Sequence, residues 1–163
     1  MNLLIILAAT LVAGIGSVWV AALLMRVGVR STGGQVLGEV HFSASPNGYT
    51  HFSADVNVGD NTAAEVYAGL WPTGDTWLQV DSVSLTRIGA TPASPDGNVL
   101  PNGNFEDVGM GSWVCAGNCG TDHGLGFAQS GQGNGWARNT SGWNDIHRTV
   151  NVVPNRVYHL SGW

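Results

Sequence analysis

Seven tryptophans, eleven acids, five histidines and two cysteines carry whatever chemistry this chain performs. Trp71 precedes Pro72, Trp136 follows Gly135, and Trp143 lies in Ser141-Gly142-Trp143-Asn144-Asp145. An indole beside Gly, Pro or Asn at a strand end can stand clear of the core. Its apolar face then suits the C–H face of a sugar ring, with amide, acid or guanidinium groups serving the hydroxyls. Trp71, Trp136 and Trp143 are the candidate platforms, and Asn144, Arg138 and Gln79 the candidate polar partners. Core packing is the other reading of any tryptophan, and the one expected for Trp77 and Trp113. The acids select no catalytic pair: a glycosidase needs two carboxylates flanking one bond, and no spacing here singles out two. Gly-x-Ser-x-Gly, His-Glu-x-x-His and phosphate-cradling glycine loops are absent. Cys115 and Cys119 are spaced for a short disulfide if the domain is extracellular. As zinc ligands they lack a second pair, although His123 is near. His41, His51, His147 and His159 fall on expected strands as surface or paired residues. Asn139-Thr140-Ser141 fits an N-glycosylation acceptor.

The composition sets the scaffold for these groups. Charged residues make up 10% of the 163, against about 25% in ordinary globular chains. There are 24 Gly and no Lys. Such a chain suits a β-sandwich with many tight turns, not a helical bundle. The net charge of −5 argues against a nucleic-acid partner, whose phosphates call for basic residues.

Alternating apolar and polar residues predict strands over 35–43, 49–58 and 64–71. Ser45-Pro46-Asn47-Gly48, Gly59-Asp60-Asn61 and Pro72-Thr73-Gly74-Asp75 mark the turns. A fourth run, Thr76 to Thr86, alternates except at Asp81-Ser82, which predicts a kink or bulge. Asp81 is an acid among apolar neighbours, so it must be hydrogen-bonded, paired or metal-bound. Gly89 to Gly97 reads as a linker. Strand patterns return near 135–138, 142–150 and 157–163, where the chain stops inside an apparent strand.

Leu3 to Met25 is a run of 23 residues without a charge, long enough to span a bilayer as a helix. No basic residue precedes it and no small-x-small cleavage site comes after it, so an anchor is expected over a cleaved signal. Arg26 and Arg30 on its C-terminal side favour a cytoplasmic location for residues 26–163, against the extracellular setting a glycan-binding module needs. Leu11 to Leu24 resembles the first helix of zinc/iron-permease transporters. The intramembrane acids and histidines that transport requires are missing from it.

Val27-Gly28-Val29-Arg30-Ser31-Thr32-Gly33-Gly34, Tyr67-Ala68-Gly69-Leu70-Trp71 and Trp77-Leu78-Gln79-Val80-Asp81 resemble, in order, the second half of family 4/9-type carbohydrate-binding modules. Asn98-Val99-Leu100-Pro101-Asn102-Gly103-Asn104-Phe105-Glu106, Trp113 and the segments 135–138, 142–150 and 157–163 resemble the first half of the same modules. The resemblance implies an all-β, antiparallel, jelly-roll-like sandwich. It divides the chain into a hydrophobic helix (1–25), a second half-module (26–88), a linker (89–97) and a first half-module (98–163). Two arrangements fit: one circularly permuted sandwich, favoured because half-sandwiches leave apolar faces and strand edges open, or a fragment cut across tandem modules. The resemblance also implies a structural calcium between Glu106 and Asp81, and non-catalytic polysaccharide binding by a membrane-anchored module. A surface adhesion or spacer module that binds no sugar is the alternative. The two differ in whether Trp71 and Trp143 are exposed on one face.

Overall fold

The computed structural model describes residues 24–42, 48–89 and 97–163, and all its regular elements are β-strands. In order they are β1 (Leu24–Ser31), β2 (Val36–Phe42), β3 (Phe52–Asn57), β4 (Ala63–Trp71), β5 (Thr76–Val80), β6 (Ser84–Arg87), β7 (Val114–Ala116), β8 (Cys119–His123), β9 (Gly133–Asn139), β10 (Asn144–Asn151) and β11 (Val157–Gly162). They build three antiparallel sheets ordered β2-β1-β4-β10-β7, β3-β11-β6 and β5-β9-β8.

Each sheet mixes strands from both sides of the 89–97 stretch. β10 lies between β4 and β7, β11 between β3 and β6, and β9 between β5 and β8. The β4–β10 ladder runs over eight pairs, from Asn144↔Leu70 to Asn151↔Ala63. Neither stretch forms these sheets alone, because a lone half would leave long unpaired edges.

The alternation seen in the sequence decides which side chains enter the core. Val27 and Val29 of β1, Val66 and Leu70 of β4, and Ile146 of β10 are buried on the inner side of the five-stranded sheet. Val56, Leu85, Tyr158 and Leu160 meet them from β3, β6 and β11. Trp113 is 4% exposed as expected; it stacks on Phe105, with rings 4.8 Å apart, and donates its indole N–H to the Asn102 carbonyl. The expected kink falls at Ser82, whose φ of 52° ends β5 and lets β6 start in a new direction.

The hydrophobic segment needs one correction. Leu24 and Met25, read as the end of a helix, belong to β1, and Met25 is buried in the core. The remainder of that segment, residues 1–23, and positions 90–96 of the linker lie outside the described residues. Among the described residues no helix is long and apolar enough to cross a membrane.

Candidate functional site

The outer side of the five-stranded sheet carries the most organised polar cluster. Alternation places Arg26, Gly28 and Arg30 of β1 there, with Glu39 and His41 of β2, Glu65, Tyr67, Gly69 and Trp71 of β4, and Asp145 and His147 of β10. Arg30 is its hub. Its Nε donates to Glu65 Oε2 and one Nη to Asp145 Oδ2, both at 2.6 Å, and its guanidinium lies 4.9 Å from the centre of the Tyr67 ring. Asp145 also accepts from the Trp143 indole N–H at 2.8 Å and from His147 Nδ1 at 2.7 Å. On the far side Glu39 accepts from Tyr67 at 2.5 Å, from Arg26 at 3.1 Å and from His41 at 2.6 Å.

Two glycines make room for the aromatic members. A Cβ on Gly28 would lie 2.9 Å from the Tyr67 hydroxyl and 2.6 Å from a backbone carbonyl. One on Gly69 would run into the Trp143 ring and the Asp145 Cβ. Tyr67 and Trp143 therefore lie down on the sheet, edge to face, with centroids 6.1 Å apart. Tyr67 and Asp145 end up 2% and 1% exposed, whereas Trp71, beyond Gly69 on the same side of β4, is 56% exposed.

The charges follow from this packing. Burial works against ionisation of Asp145, but hydrogen bonds from Trp143, His147 and Arg30 outweigh it and hold the carboxyl below its ordinary range. Glu39 is held low in the same way by Tyr67, His41 and Arg26. Burial and the Glu39 carboxylate push the Tyr67 phenol well above its usual value.

A second aromatic group lies on the outer side of β5-β9-β8. Trp77 was expected in the core, but it points outward and is 48% exposed, because its neighbours Leu78 and Val80 take the inward positions. It meets Trp136 at 5.5 Å, and Arg138 lies 4.6 Å over its ring while forking onto both oxygens of Asp75. Gln79 faces Trp136 across the β5–β9 ladder.

The six proposed ligand residues thus divide. Trp71 and Trp143 share the five-stranded face, and Trp136, Arg138 and Gln79 share the smaller one. Asn144 joins neither: it is buried on the inner side, with its amide donating to the Arg138 carbonyl at 2.8 Å. Sequence reasoning passed over Arg26, Arg30, Glu39, Tyr67, Asp145 and His147. For two strands the signal was alternation: Glu39/His41 and Glu65/Tyr67 are i, i+2 polar pairs on strands whose other positions are apolar, whereas Asp145/His147 sit on the mostly polar β10.

Asp81 and Glu106 grip one loop from two sides. The fully buried Asp81 accepts from the Ser82 and Ser130 backbone N–H groups, and Glu106 Oε1 from those of Gln132 and Gly133. Burial raises the Asp81 pKa in spite of those amides, whereas the amides lower that of Glu106. Neither carboxylate bonds to an arginine. Among the described residues no group of three or more His, Cys, Asp or Glu side chains is placed to hold a metal, so backbone oxygens would have to fill most of a calcium shell. Cys115 and Cys119 form a disulfide that joins β7 of the five-stranded sheet to β8 of the smaller one.

No protein-family model matches this chain, and no curated protein or solved structure resembles it significantly.

Proposed function

We propose that the chain is a non-catalytic carbohydrate-binding module. In this reading it is a jelly-roll-like sandwich, circularly permuted relative to family 4/9-type modules and tethered to a membrane by its N-terminal hydrophobic run. The observation that carries the proposal is the exposed Trp71 at the end of an outer sheet face. On that face Tyr67, Trp143 and five charged side chains are already locked by hydrogen bonds. An exposed platform beside prearranged polar groups suits a sugar ring, because little side-chain order is lost on binding. Arg26 and Arg30 are committed to carboxylates, so no unpaired cation on the face awaits a uronate or sulfate. The ligand class is therefore a neutral polysaccharide.

Affinity electrophoresis of the full chain against neutral and uronate-rich polysaccharides tests the reading, with Trp71→Ala and Trp77→Ala alongside. Binding to a neutral glycan that falls about tenfold or more in Trp71→Ala, a loss of about 1.4 kcal/mol, supports it. Loss in Trp77→Ala alone moves the site to the smaller sheet. No retardation by any glycan leaves the spacer or adhesion reading.

The same proposal places a structural calcium ion at Asp81 and Glu106. Both carboxylates reach one loop without a guanidinium partner, and a cation there would offset the burial of Asp81. Calcium would raise the melting temperature, and Glu106→Gln would abolish that rise. A melting curve unmoved by calcium would mean that the backbone amides alone hold the loop.

A further inference from the structure

The outward positions of the β5-β9-β8 sheet continue past Trp136 and Gln79 into a row of oxygen-bearing side chains. The β5–β9 ladder pairs Thr76↔Asn139 through Val80↔Gly135, and one step further Asp81 comes level with Asn134. On the other side of β9, Asn134 is paired with Asp122 of β8. Residues directly opposite one another on neighbouring strands share a face. Asp81, Asn134 and Asp122 therefore form one row across three strands, two residues along from Gln79 and Trp136.

The middle member of the row is incomplete. Asn134 is fully buried, and among the described residues its Oδ1 accepts no hydrogen bond. Its Nδ2 points to the Gly135 carbonyl at 3.4 Å, so turning the amide round would only set two oxygens together. A buried amide oxygen without a donor calls for an explanation. Neither neighbour supplies one. Asp81 is a buried carboxylate whose oxygens take the Ser82 and Ser130 amides, and Asp122 is a half-buried carboxylate. Among the described residues the ion pairs reach Glu39, Asp55, Glu65, Asp75 and Asp145, but neither Asp81 nor Asp122. His123 alternates to the other face of β8, level with Gly133. Burial and the charges of Asp81 and Asp122 push the Tyr49 phenol up to about 12, so both carboxylates face it.

We propose that Asp81, Asn134 and Asp122 together hold the calcium ion, with Asn134 Oδ1 as a ligand. This rests on the calcium reading of Asp81 above and goes beyond it by naming two further ligands. Calcium takes six to eight oxygens from carboxylates, amide carbonyls and water, and the row offers oxygen alone. An ion there gives Asn134 Oδ1 its missing partner and offsets two carboxylates that no guanidinium reaches. Each Asp81 oxygen keeps a lone pair beyond the amide it accepts. The set has three side chains although only two of them are acids.

Calorimetric titration of the full chain with calcium, in a mild nonionic detergent, tests the row, with melting curves in chelator alongside. Asp122→Asn removes a charged ligand at a half-buried position and should weaken calcium binding about tenfold or more. Asn134→Asp adds a charge to the middle of the row. It should lower the melting temperature in chelator and yet tighten calcium binding about tenfold, because only the ion offsets the new charge. A merely structural Asn134 would give the first change without the second. An unchanged calcium dissociation constant in Asp122→Asn would overturn the proposal. If Glu106→Gln still abolished binding, calcium at Asp81 and Glu106 would stand without this row. Binding lost in Asp122→Asn but kept in Glu106→Gln would support the row and move the ion away from Glu106. An unaltered chain that bound no calcium would remove both readings together.

Discussion

On the five-stranded sheet, Arg30 lies over Tyr67 and reaches two carboxylates; on the β5-β9-β8 sheet, Arg138 lies over Trp77 and reaches one. The side-chain types are the same and the surroundings are not. The Arg30 and Asp145 side chains are 17% and 1% exposed, against 40% and 52% for Arg138 and Asp75. In the first cluster Arg30 and Asp145 each have several partners and little water, so removing either strands the others. In the second, water replaces a lost partner at small cost. An arginine–aromatic–carboxylate group is therefore a structural element on one sheet and a surface ornament on the other. Burial, which residue types do not reveal, makes the difference.

The sharpest way to break this contrast is Asp145→Ala. It leaves Arg30, Trp143 and His147 without their shared acceptor, and removing one partner of a buried ion pair costs about 3–5 kcal/mol. Urea unfolding should show a midpoint shift larger than that of any surface substitution. A shift no larger than that of Asp75→Ala would mean the two clusters do not differ as argued.

Acid should act with opposite sign on the buried carboxylates of the Arg30 cluster and on the buried Asp81. Asp145 and Glu39 have folded pKa values below the ordinary carboxylate range. The stability they contribute is present above the unfolded value of about 4 and is lost as pH falls through their lower folded values. Asp81 runs the other way: its folded pKa is raised, so protonation relieves a cost as pH falls through that value. Unfolding midpoints measured from pH 7 down to pH 2 should therefore fall at the acid end, and fall less steeply in Asp145→Asn. An equal slope in the variant would remove Asp145 from the account.

Gly69→Ala tests the floor beneath the aromatic members. The new methyl meets the Trp143 ring and the Asp145 Cβ, and overpacking of this kind costs about 1–3 kcal/mol. The near-ultraviolet circular dichroism of Trp143 should change along with the unfolding midpoint. Gly74→Ala, where a Cβ meets nothing within 4 Å, is the control and should leave that spectrum unchanged.

Much of the scaffold was legible in the chain. Period-two alternation gave the strands 36–42, 52–57 and 63–71 within a few residues, and the Asp81-Ser82 break fell where β5 gives way to β6. β1 was hidden in part because Leu24 and Met25 continue an apolar run that reads equally well as a helix. β7 and β8 were missed because three- and five-residue strands beside two cysteines offer too few alternations to count. Trp77 was misplaced because size was taken as the core signal, while phase, set by Leu78 and Val80, decides direction. The lattice around Arg30 was out of reach for a different reason. Its members come from four strands, and nothing local in a sequence says that β10 will lie beside β4.

The smallest expected effect is that of Arg138→Ala, and it is also the most specific check on the contrast. Arg138 and Asp75 form a bidentate pair, and Arg138 covers one face of Trp77. Bidentate geometry alone would suggest a strong contribution, but an exposed pair gains little over its hydrated state and is screened by salt. The melting temperature of Arg138→Ala should therefore match that of the unaltered chain at physiological ionic strength. Trp77 fluorescence should still change, because the ring exchanges a guanidinium for water on one face. A melting shift comparable to that of Asp145→Ala would show that stacking on Trp77, and not burial, gives these clusters their strength.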